Sequence, residues 1–172
     1  MSLYCHLLSL TSEVSDTLLN IYELLASFIQ TFLWVWFITK YFEFNKSKKT
    51  NIIGFIVTWL LCFFEITFIN LIIVYDRMIS GIIVATMVIY AQLYLKGDLY
   101  SHLFVSLYGT AIMFIVSSVA IFISAFAMGS SVEEAITDLT YARIILITSC
   151  RIAEFLAFRF IVKTKNNYRL PK

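Results

Sequence analysis

The sequence predicts an all-α, polytopic transmembrane helical bundle of about five spans, with its N-terminus outside and its C-terminus in the cytosol. Three observations predict it. First, 60% of the 172 residues are hydrophobic and only 14% are charged, with a mean hydropathy of +0.86; a soluble domain carries about a quarter of its residues charged. Second, one proline and five glycines leave little punctuation for loops, so the chain reads as long uninterrupted helices. Third, the apolar residues gather in runs of bilayer length, and at roughly 20 residues per span plus short loops, five or six fit.

Residues 1–17 hold a short apolar run and then the polar stretch Thr11 to Thr17 with Glu13 and Asp16. They are too few and too mixed to span, so they read as an extracellular or interfacial segment, or as an extension of the first helix. No basic residue precedes the apolar run and no small-residue cleavage site follows it, which argues against a secretory signal peptide. The first span covers 18–39 and ends in Trp34 and Trp36 before Lys40 and Tyr41, aromatic rings beside a cationic flank that suit a headgroup boundary. Lys40, Lys46, Lys48 and Lys49 then face a lone Glu43 in the most basic loop.

The second span, 52–75, carries Glu65 near its middle. Asp76 and Arg77 make a tight link to the third, 78–95, which demands antiparallel neighbours. Lys96-Gly97-Asp98 forms the next turn, with glycine supplying a permissive backbone. The fourth span, 99–128, is longer than a perpendicular crossing needs, an excess that tilt accommodates. Ser106 with Thr110, and Ala120 with Ser124, lie four apart and give close-packing positions. In the polar loop that follows, Ser131 and Glu134 fit a capping box, which predicts a short surface helix over 132–139. The fifth span is 141–162, and 163–172 is a basic cytosolic tail.

The distribution of cations sets the orientation. Lysines and arginines at 40, 46, 48, 49, 96, 163, 165, 169 and 172 all fall on one side of this plan, and the other side offers Arg77 and, just inside the fifth span, Arg143. Cations accumulate on cytosolic loops, which places the C-terminus inside. The opposite side is acidic.

Four residues carry the candidate chemistry. A carboxylate near mid-bilayer is costly unless it is paired or protonated, so Glu65 calls for a partner. Arg151 matches it in depth, and Glu154, one turn along the same face as Arg151, is positioned to share that cation. One reading is a polar switch that repacks on signal binding, or a proton or ligand site; the other is a static ion pair that fixes helix packing. Arg143 lies beside the acidic loop, where Glu133, Glu134 and Asp138 are candidate outer-face contacts or partners. Arg159 is placed to snorkel to headgroups, and His102 reads as an interfacial histidine near the inner boundary. Trp34, Trp36, Phe63 and Phe64 read as lipid contacts.

The spacing excludes several classes. Cys5, Cys62 and Cys150 are unpaired in pattern and read as free thiols, and His6 and His102 lie far apart, so no metal site is predicted. No phosphate loop, nucleophile elbow or zinc-protease motif occurs, and neither an enzyme activity nor a cofactor is implied. A formal net charge of +2, spread over span flanks, gives no nucleic-acid partner. The lipid bilayer is the partner the composition demands.

Several stretches resemble a known group: Ile21-Tyr22-Glu23-Leu24-Leu25 opening the first span, the lysine-rich loop running into Asn51-Ile52-Ile53-Gly54, Tyr94-Leu95-Lys96-Gly97 closing the third span, and a fifth span with Arg143, Arg151 and Arg159 before a lysine-rich exit. Over most of residues 20–165 the chain resembles the membrane sensor half of Firmicutes histidine kinases of the GHKL ATPase type, which includes peptide-pheromone receptor kinases. The resemblance implies an input module of a two-component system, binding a peptide or small-molecule signal and acting as a homodimer or with a kinase module. No phosphoacceptor histidine or ATP-binding box follows the last span, so the expectation is a sensor without its kinase. The competing expectations are a small transport component, like the substrate-binding subunit of a vitamin importer, and a structural membrane subunit.

Overall fold

In the computed structural model every regular element among the described residues is a helix; those residues are 2–70, 79–129 and 140–167, with side chains described over 17–68, 81–127 and 143–165. Five helices follow in order: α1 (Ser2–Tyr41), α2 (Lys48–Asn70), α3 (Ile79–Tyr94), α4 (Leu99–Met128) and α5 (Thr140–Asn167). Three of them are long and apolar enough to cross a membrane, over Thr17–Tyr41, Lys48–Phe68 and Leu99–Ala127; α3 is apolar but shorter.

The boundaries follow from local chemistry. α1 is one helix of 40 residues, so the segment before residue 18 takes the extension alternative and continues the helix. α2 starts earlier than position 52, because Ser47 sits just ahead of it and its hydroxyl accepts from the Thr50 amide. α4 has both ends marked: the Asp98 carboxylate accepts from the Ser101 amide at one end, and Gly129 ends the helix in the left-handed region with φ 66°. α5 runs past 162 and takes the first residues of the predicted tail into the helix. The predicted helix over 132–139 and the Asp76-Arg77 link lie outside the described residues.

Each helix packs on the next in sequence, and α5 returns to α1 to close the ring. The pairings set the directions. Phe32 meets Phe55 while Phe28 meets Phe63, so α1 and α2 are antiparallel. Ser124 meets Ser149 while Ser117 meets Glu154, so α4 and α5 are antiparallel too. Along α1 and α5 the order is the same: Tyr22 with Thr148, Trp36 with Phe155, Phe37 with Phe158. First and last helices are therefore parallel neighbours.

The core lies toward one end of the ring, around Val35, Phe37, Met87, Tyr90, Leu95 and Phe158, all buried. This is the basic end, where Lys40, Lys46, Lys48, Lys49, Lys96, Lys163 and Lys165 gather. There Phe44 and Leu95 form an isolated antiparallel bridge, with the Asn45 and Lys96 amides donating to the Tyr94 and Glu43 carbonyls, which ties the α1–α2 connection to the α3–α4 turn. No sequence pattern marked this bridge. Close packing uses glycine: a Cβ on Gly109 would stand 2.8 Å from the Phe37 ring, and one on Gly54 2.6 Å from Tyr94.

Three expectations about aromatic and imidazole groups change here. Trp34 and Trp36 are half-buried against the core rather than forming a lipid-facing belt, and Trp36 lies on Phe155. Phe63 packs edge-on to Phe28, while Phe64 is exposed. His102 is fully buried under Phe42, ring centroids 4.6 Å apart, because the α4 N-terminus folds in beneath the end of α1. Large apolar residues cover the outside, Phe114, Phe122 and Phe126 on α4 among them, a surface compatible with lipid contact.

Candidate functional site: a polar chamber between the first, fourth and fifth helices

Away from the core the ring is looser, and polar side chains line its interior. α5 supplies most of them. Arg151 and Glu154 are one turn apart, so both point at the seam between α1 and α4. Arg151 Nη1 donates to both Glu154 oxygens, at 2.8 and 2.6 Å. The Glu154 side chain is completely buried, and Ser117 of α4 donates a third bond to its Oε1 at 2.6 Å. Small residues make this approach possible: Cys150 stands 3.7 Å from the Ser117 carbonyl, and the Ser124 and Ser149 hydroxyls are 2.8 Å apart. Ala120, on the same face of α4 as Ser124, is buried.

The pairing expected from depth alone does not form. Glu65 accepts a hydrogen bond from the Thr86 hydroxyl of α3 at 2.8 Å, and its second oxygen is buried with no hydrogen-bond partner among the described residues. The reason is position around the ring: α2 packs on α1 and α3, and shares no packed interface with α5. Two residues at one depth meet only if their helices are neighbours. The alternative that Glu154 takes Arg151 is what the geometry has.

Arg143, expected beside the acidic loop, reaches α1 instead. Its Nη2 lies 2.6 Å from Glu23 Oε1, an ionic contact between half-buried groups. One turn along α5, Thr148 bonds the Tyr22 hydroxyl. Glu133, Glu134 and Asp138 lie outside the described residues. Glu23, Ser117 and Tyr22 escaped the sequence reading because a carboxylate near a span's end and isolated hydroxyls are common; the four-residue spacing of small residues on α4 was the only hint that its face meets a neighbour. Arg159 is exposed, as snorkelling requires.

Between these pairs lies a cavity of about 610 Å³ whose polar lining includes Asn20, Glu23, Ser27, Ser117, Arg143 and Arg151. A second cavity of about 440 Å³ lies between α1 and α5, and Ala26 and Arg151 line both. The first is polar at one end and apolar along Leu24 and Leu146; the second is apolar but for Tyr22, Thr148 and Arg151. Among the described residues no group of His, Cys, Asp or Glu is arranged to hold a metal ion. Such a chamber can bind and orient.

At the opposite end of the same two helices, Lys165 of α5 donates to the Tyr41 carbonyl and sits 3.6 Å over the Tyr41 ring. Its ammonium is also 5.3 Å from the Phe42 ring, which covers His102. α5 thus links the chamber to a clasp at the basic end. No family model matches the chain, and no curated protein or solved structure matches it either.

Proposed function

We propose that the chain is a multi-pass membrane sensor module, a binding protein rather than an enzyme, which takes a signal in the chamber and passes a movement of α5 to its basic end. In this reading all five helices cross the bilayer, the basic end faces the cytosol and the chamber opens toward the outer half. Accumulation of cations at one end supports that orientation. The observation that carries the reading is that one helix, α5, contributes both chamber arginines and the Lys165 clasp. A shift that re-pairs Arg143 or Arg151 therefore acts on a helix whose far end is held by one cation over aromatic rings. The resemblance to GHKL-type sensor regions supports the same assignment, with a kinase module as the receiver of the movement.

Spin labels at Lys40 and Lys163, both exposed, test it in a chain whose three cysteines are replaced by alanine. Arg143→Gln removes a half-exposed charge at the chamber's far edge. The reading expects the Lys40–Lys163 distance distribution to shift or broaden in a bilayer. An unchanged distribution would make the bundle a rigid structural subunit instead.

A further inference from the structure

The two cavities meet at Arg151, and the way its guanidinium is used says what kind of molecule they fit. Glu154 occupies Nη1 alone. Nε is buried without an acceptor, and among the described residues the hydrogen bonds of the guanidinium all run from Nη1, none from Nη2. The Nε–Nη2 edge is the fork that receives a carboxylate or phosphate through two parallel bonds. A buried donor without an acceptor is costly, so a turn of the guanidinium that brings this edge to an anion in the cavity satisfies a group the protein leaves unpaired. Arg143 lines the same chamber, and its ionic contact with Glu23 is not aligned for a hydrogen bond.

From Arg151 the second cavity runs as a cleft along Leu25, Ile29 and Phe32 of α1 and Ile152 and Phe155 of α5. All five of these side chains are exposed on the outer surface of the ring. The cleft therefore opens sideways, where a bilayer's acyl chains would lie, and not only through the end of the bundle. Both volumes fall within the range of about 300–1,000 Å³ usual for small-molecule sites. A polar chamber with an arginine lacking acceptors, adjoining across Arg151 an apolar cleft that opens on the lipid-facing side, matches a ligand with one anionic head and one alkyl chain.

We infer that the site binds an anionic amphiphile, with its carboxylate or phosphate on the Arg151 fork and its chain in the α1–α5 cleft, entering from the membrane. The inference names the signal class for the sensor reading and rests on it for any consequence at the basic end. A free long-chain acid and an anionic membrane lipid share this chemistry.

The full chain in nanodiscs of neutral phosphatidylcholine separates the sources, with saturable binding of labelled oleate read against dioleoyl phosphatidate, oleyl alcohol and inorganic phosphate. Saturable binding of oleate assigns a free acid, and preference for phosphatidate assigns a membrane lipid. Oleyl alcohol is expected to bind about ten-fold more weakly or worse, since it lacks the charge that strengthens the head contact. Equal binding of oleate and oleyl alcohol overturns the inference, as does phosphate binding as well as either anion, or no saturable binding of either amphiphile. Arg151→Lys keeps the cation beside Glu154 but removes the fork, and should weaken the anions while leaving oleyl alcohol unchanged. Ile152→Trp fills the cleft without touching either ion pair and should weaken every amphiphile, so the test survives if the Arg151 variant fails to fold. Wild-type binding in the Ile152 variant also overturns the proposal. Saturable oleate binding with no change in the Lys40–Lys163 distance leaves the site standing and removes the sensor reading. Absent amphiphile binding, with a distance that still responds to Arg143→Gln, does the reverse.

Discussion

At the basic end Phe37 stacks on Phe158 at 4.3 Å, Gly54 and Gly109 admit neighbouring rings, and a backbone bridge joins two connections. At the chamber end the same helices meet through Glu23 with Arg143 and Tyr22 with Thr148, around open volume. One end is a packed aromatic core whose geometry follows from shape; the other is a set of discrete polar contacts whose geometry depends on charge. Dense interiors resist deformation, whereas polar pairs have alternative partners. The difference teaches where the proposed motion would originate: in the sensor reading α5 re-pairs at its chamber end and pivots against the core.

The comparison is most easily broken at Glu154. Glu154→Ala leaves Arg151 without its carboxylate and should cost about 3–5 kcal/mol, the range for removing one partner of a buried pair. Chemical unfolding in mild detergent measures it. Arg151→Met with Glu154→Leu should restore stability close to that of the unaltered chain while abolishing binding of an anionic amphiphile. If the double variant is as unstable as the single one, the pair is a structural keystone and not a site.

The packed end should respond to volume instead. Gly109→Ala places a methyl against the Phe37 ring, and overpacking of this kind costs about 1–3 kcal/mol; the same unfolding measurement should show it, with the Arg143–Glu23 contact intact. A smaller effect is expected from Lys165→Met, which removes a cation–π contact of about 0.5–2 kcal/mol. Its informative readout is the Lys40–Lys163 distance, which should widen. An unaltered distance would place the hold on α5 in the Phe37–Phe158 stack alone.

The smallest effect belongs to Asp98. The Ser101 hydroxyl, and after it the Ser101 amide, hold this carboxyl below the ordinary aspartate value of 3.8. A lowered native pKa means that the cap's contribution is fully present above that value and is lost as pH falls through the native pKa. The midpoint of thermal unfolding should show a small acid-side loss that Asp98→Asn removes. Because Asp98 is at the basic end, the chamber's binding should not follow it.

Much of the helical plan was legible in the sequence, and the limits of legibility have physical causes. α4 could be read to its ends because its apolar run, 99–128, is bounded by the Lys96-Gly97-Asp98 turn and a polar loop. The Arg151–Glu154 pair could be read because it lies within one helix, where spacing fixes the face. Partners on different helices were not legible: depth suggested Glu65 for Arg151, but which helices are neighbours around the ring is a tertiary fact. Glu23 with Arg143 failed for the same reason, and so did the burial of His102, which depends on how a turn folds under Phe42. The arginine fork, the feature on which the binding proposal depends, needed atomic geometry.

The parallel pairing of α1 with α5 has a consequence for biogenesis. α5 carries Arg143, Arg151, Glu154 and Arg159 and is not among the three helices apolar enough to cross a membrane by themselves. Each central charge in an isolated helix costs about 2.5–3.5 kcal/mol on insertion. Glu23 of α1 meets Arg143 and Ser117 of α4 meets Glu154, and both helices are made first. In the five-span reading proposed above, insertion of α5 depends on the earlier helices offering partners, and variants of Glu23 or Ser117 should show themselves as chains with a wrongly placed last helix before they show any change in folded stability.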